Sequence, residues 1–206
     1  MTINEMADLI QSTNAGGFVS ADLLSRFDTR DIKKCLEIFY MDMFSSISKT
    51  VINTKAYSLL DPYTKPYEDI PVLFNEHRKE HYIELPTAPL LLPDNRGIRK
   101  ISPMKDPTIR VWMSYGSNQE MTSRLEGPKA LGFVIGHPEG DKVYFSNYNP
   151  DYKHFLVKLV VGLGDFDEDE EIPMFSFNAS QIFQSVAAIM MQRPPEKSTN
   201  DNQSKA

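Results

Sequence analysis

LGFVIGHPEGDKVYFSN, residues 131–147, and HFLVKLVVGL, residues 154–163, decide the fold. The first stretch reads as a hairpin. Two apolar runs flank HPEGD, a loop longer than the tightest two-residue turn. The second is a mostly apolar run with one lysine, Lys158, the pattern of a central strand. Upstream, TIRVWMS at 108–114 sets Ile109, Val111 and Met113 against Arg110, Trp112 and Ser114, the alternation of a half-buried strand. These pieces predict an antiparallel meander of four or more strands.

Towards the N-terminus, residues 61–107 hold a cluster of prolines. Each removes a backbone donor and pushes the preceding residue towards extended geometry. The expectation is short strands joined by proline turns, with 82–85 and 98–102 as the best strands and 94–97 as a turn between them. Further upstream the chain turns helical. Thr2 and Glu5 form a capping box for a helix over 2–13, and the AGG at 15–17 breaks it. Ser20 caps a short segment. Asp28 or Thr29 then caps a long helix to about residue 57, with Ile32, Cys35, Leu36, Phe39, Met43, Ile47 and Val51 on one side. At 1.5 Å per residue it would run about 40 Å, enough to reach a neighbouring subunit.

Past the central strand, IPMFSF at 172–177 reads as an edge strand. Asn178 or Ser180 caps a last helix to about Gln192, and PPEKSTNDNQSKA is a polar tail without an apolar anchor. The fold class is therefore α+β: a long N-terminal helix, an antiparallel β-sheet with proline-rich connections, and a C-terminal helix. The expected sections are 1–60 (helical), 61–192 (β-rich, closed by a helix) and 193–206 (tail).

Composition narrows the function. With one cysteine, Cys35, the chain forms no internal disulfide and no Cys-rich zinc site, and a reducing compartment fits. Its first residues lack a basic region and read against a secretory signal. No run of 18 apolar residues points to a membrane span. The net charge is −6, and without the six acids of DFDEDEE the chain carries 22 acids and 22 bases. That balance disfavours nucleic-acid binding as the main task, although a local basic patch is compatible with it.

Candidate chemistry is sparse. His77 and His81 stand four apart, but Arg78 occupies the place where the zinc-protease pattern requires Glu. The alternating acids Asp165, Asp167, Asp169 and Glu171 suggest a calcium loop. Glu170 and Ser176, however, fall where that loop needs Gly and Glu. Ser46 and Lys49 match S-x-x-K without its partner motifs, and Gly162-Leu163-Gly164 lacks a third glycine. Cys35 lies on the apolar stripe. The pairs Met41/Met43 and Met190/Met191 suit either core filling or adaptable subunit contacts. No catalytic residue, metal or cofactor is expected. Six acids, Asp165, Asp167, Glu168, Asp169, Glu170 and Glu171, with Arg96 and Arg99, are the expected subunit or channel contacts.

The segment HYIELPTAPLLLPDNRGIRKISPMKDPTIRVW, residues 81–112, resembles virion structural proteins of crAss-like phages and related phages of Bacteroidetes. Those proteins combine an N-terminal helical section, a strand, a proline-rich stretch with N-R-G-I, and a sheet. The matching residues here are 82–86, 93–98 and 102–107. The resemblance implies a subunit of a neck or tail ring, of about twelve copies, whose cyclic symmetry needs two different patches per subunit. Its implied partners are copies of itself, the portal, other neck and tail proteins, and genomic DNA passing through without sequence-specific binding. Its implied location is the virion, after synthesis in host cytoplasm, with no membrane involved. The alternatives are another virion adaptor or stopper, a metal-dependent hydrolase using His77 and His81, and a small regulator that binds a host protein.

Overall fold

Thr2 opens the first helix by the reciprocal bonds its sequence promises. Its hydroxyl accepts from the Glu5 N–H at 3.1 Å, and the Glu5 carboxylate accepts from the Thr2 N–H at 2.9 Å. The computed structural model describes residues 1–90, 92, 97–114 and 134–192. Helix α1 spans Ile3–Ser12 and buries Ile3, Met6, Ala7 and Ile10. Replacing Thr2 with alanine is expected to cost about 1 kcal/mol and lower the melting temperature by about 2–4 °C, as read by circular dichroism.

The following turn needs its glycine for space and for conformation. Gly16 has φ +67°, and a Cβ there would stand 2.8 Å from the Phe183 ring. Helix α2 is Ala21–Leu24, capped by Ser20. Helix α3 is Thr29–Thr54. Its cap is Asp28, whose carboxylate accepts from the Asp31 N–H at 2.8 Å. The expected stripe is present but wider: Tyr40 and Phe44 are buried with Ile32, Cys35, Leu36, Phe39 and Val51, while Met43 and Ile47 are half-buried.

IPMFSF is not an edge strand. Pro173–Phe177 forms a short helix, α4, with Pro at its start. Met174 and Phe175 are adjacent and both buried, which a helical turn permits and a strand with one covered face does not. Helix α5, Ala179–Gln192, buries Ile182, Val186, Ala187 and Met190.

The sheets occupy Thr64–Pro71 (β1), Leu73–Asn75 (β2), Glu80–Glu84 (β3), Ile98–Pro103 (β4), Trp112–Met113 (β5), Ile135–Glu139 (β6), Lys142–Ser146 (β7) and His154–Val160 (β8). Among the described residues they form two sheets, ordered β1-β8-β4 and β2-β3-β7-β6-β5. Strand β8 is central, as its apolar run predicts. All pairs are antiparallel except β5–β6, which is parallel and differs from the expected meander. The hairpin turn is also tighter than expected. Glu139 pairs with Lys142, leaving Gly140 and Asp141 as a two-residue turn with Gly140 at φ +63°.

Strand β1 contains Pro66 and Pro71 and is a full eight-residue strand rather than a chain of turns. It lies at a sheet edge, where a missing N–H costs no ladder bond. The two sheets meet at two corners. Chain continuity through Val72 links β1 to β2, and the Val111 N–H donates to the Ile101 carbonyl at 2.9 Å. Between the sheets the Phe145 and Phe155 rings stack at 4.9 Å, and Ile83, Ile101, Val143, Val157 and Leu159 of the two sheets are buried.

The chain divides into two compact units, Met1–Lys49 with Gly162–Ala206, and Thr50–Val161. In this division the C-terminal helix falls in the same unit as the N-terminal helices. Among the described residues, no helix is long and apolar enough to cross a membrane.

Candidate functional site, a cationic groove

Two bulges shape the three-stranded sheet. Between Tyr67 and Ile70 strand β1 spends one more residue than β8, with Asp69 at φ +60°. Between Ile98 and Lys100 strand β4 does the same, so Arg99 is its extra residue. The bulge turns Arg99 away from the ladder. Its guanidinium reaches Asp61 at 3.3 Å and lies 5.9 Å from the centre of the Tyr57 ring. Its Nε is buried without a hydrogen-bond partner.

Register brings a second cation opposite a third. Lys158 of β8 pairs directly with Lys100 of β4 and, on its other side, with Pro66 of β1. Like charges directly opposite in a sheet repel. Lys100 bends away and donates to the Pro107 carbonyl at 3.0 Å. Lys158 is exposed, and among the described residues it makes no ion pair. Arg110 completes the group by donating to the Arg99 carbonyl at 2.9 Å.

These side chains line a cleft of about 440 Å³ with Asp61, Thr64 and Pro66. A neighbouring cleft of about 420 Å³ shares Arg99, Lys100 and Arg110 and extends to Trp112, which is 55% exposed. Among the described residues, four cations thus share the first cleft with one carboxylate, Asp61. Such a surface is suited to an anion. Asp106 steadies the adjoining loop by accepting from the Thr108 hydroxyl and N–H, and these bonds hold its carboxyl below the usual range.

The residues expected from sequence fall elsewhere or only partly here. Arg99 is in the groove, and Arg96 lies outside the described residues. The acidic loop belongs to the other unit and is largely tied down. Asp165 accepts from the Gly162 N–H at 3.2 Å, and Glu170 accepts from the Asp167 N–H at 3.2 Å. Glu168 pairs with Lys33 at 2.8 Å, and Asp169 accepts from the Asn4 amide at 3.1 Å. Phe166 anchors the loop in the core, edge-on to Tyr40 at 6.4 Å. Asp167, Glu168, Asp169 and Glu171 are nevertheless exposed, and Asp165 and Glu170 are half-buried.

His77 and His81 do not share a helical face. His77 lies in the β2–β3 turn, and His81 lies in β3 with its ring between Phe74 at 4.9 Å and Tyr148 at 4.3 Å. Among the described residues, no three His, Cys, Asp or Glu side chains come together to hold a metal. Arg78 between them sits over the Tyr144 ring at 4.0 Å and pairs with Glu80 and Glu139. Cys35 is buried in the helical unit.

Sequence reading missed Lys100, Arg110 and Lys158 as a group. Their only linear signal is one lysine interrupting an apolar strand. No protein-family model matches the chain, and no curated protein matches it either.

Proposed function

We propose that this chain is a structural subunit of a tailed bacteriophage, one protomer of a neck or tail ring through which DNA passes. The resemblance of 81–112 to crAss-like virion proteins is the sequence support. The structural observation that carries the reading is the pair of edges of the five-stranded sheet. Among the described residues, one outer strand, β2, exposes Leu73 and Phe74 at 38% and 49%, and the other, β5, exposes Trp112 at 55%. Two different apolar edges on one subunit are what head-to-tail closure uses.

Peptide mass spectrometry on gradient-purified virions, counted against the major capsid protein, tests this. The expected result is a low fixed number, roughly a dozen copies per particle. Absence from the particles overturns the proposal.

A further inference from the structure

We propose that the groove formed by Arg99, Lys100, Arg110 and Lys158 binds backbone phosphates of double-stranded DNA. The choice of DNA as the source of the phosphate rests on the ring reading above; the preference for an anion does not.

Three observations carry the anion. The β4–β8 register sets Lys100 and Lys158 opposite each other on one cleft, with Lys100 held by the Pro107 carbonyl and Lys158 exposed without an ion pair among the described residues. The Arg99 Nε is buried and unpartnered, and the guanidinium is held by one carboxylate, Asp61, whose own side chain is 67% exposed. The cleft of about 440 Å³ that these groups line is open to solvent and has room for a tetrahedral oxyanion. The donors come from three chain segments, β4, β8 and the stretch before β5, so the cluster is made by tertiary structure rather than by a basic run in the sequence.

The chemistry favours backbone phosphate over base recognition. Lysine and arginine neutralise phosphate without reading sequence, and they do so with counterion release. The protein's net charge of −6 opposes binding at a distance and leaves a weak, local, salt-sensitive contact. Such a contact suits a surface along which DNA must move.

The test is an amide-shift titration of the full chain with a short duplex and, separately, with inorganic phosphate. The duplex is expected to shift the amides of Arg99, Lys100, Arg110 and Lys158. With about three phosphates neutralised, affinity should fall roughly 40-fold between about 50 and 200 mM salt. Lys158→Gln should weaken duplex binding about fivefold and flatten the salt slope by about one. Lys153→Gln removes the same charge outside the groove and should leave affinity nearly unchanged. The dispersion of each spectrum reports whether the variant is folded.

Silent β4 and β8 amides overturn the groove, as does equal weakening by both variants. Binding of inorganic phosphate as tight as that of the duplex overturns DNA as the source. The virion count is independent of these outcomes. A chain present in ring number with a silent groove loses the groove and keeps the ring.

Discussion

Phe155→Ala is expected to destabilise the β-rich unit by about 3–5 kcal/mol. Phe155 is fully buried on the central strand, stacked on Phe145 at 4.9 Å and edge-on to Tyr152 at 6.4 Å. Its ring stacks on one from the other sheet. Truncation removes the transfer energy of an aromatic side chain and leaves a cavity that two hydrogen-bonded sheets close poorly. Domains commonly have only about 5–15 kcal/mol in total, so the urea midpoint should fall by roughly a fifth or more. A loss below about 1 kcal/mol would mean that the sheets do not pack through this ring.

Gly97→Ala comes next in size. The φ of Gly97 is not in the left-handed region, so the obstacle is space. A Cβ would stand 2.4 Å from the Leu90 carbonyl oxygen and 2.9 Å from the Pro89 Cβ. The Leu90 and Val160 amides stitch this point to the central strand, donating to the carbonyls of Val160 and Gly97 at 2.8 Å each. Backbone cannot rotate aside as a flexible side chain can. The expected cost is about 1–3 kcal/mol, towards the upper end. Amide hydrogen exchange should quicken at Leu90 and Val160 first. Unchanged protection at both would show that the 89–90 segment yields freely.

Local chemistry was legible in the sequence. The Thr2/Glu5 box, the Asp28 cap and the apolar run of β8 act over a few residues, and each appears where its pattern puts it. What depended on distant partners was less legible. TKPYEDIP reads as broken chain because prolines lack donors, yet on a sheet edge the missing donor faces no partner. Met174 and Phe175 suit a strand until both are seen to be buried. The groove was least legible of all. Arg99 was named, but Lys100 and Lys158 become neighbours only through a one-residue bulge that shifts β4 against β8. The acids of 165–171 read as an outward patch, and four of the six are exposed, but the sequence does not show that Asn4, Lys33 and the local backbone engage several of them.

One helical unit is assembled from both flanks of the chain, with Thr50–Val161 inserted between them. This sets an order of events on the ribosome. Helices α1 to α3 emerge early, but the Ile172 N–H that bonds the Met1 carbonyl, and the Phe183 ring that packs on Gly16, come only after the whole insertion has been synthesised. At about 5–20 residues per second, these contacts form on the order of ten seconds after the N-terminal helices have been made. During that interval the nascent chain is a half-built bundle joined to a β-rich unit that is already complete in sequence, and it is most in need of chaperone cover.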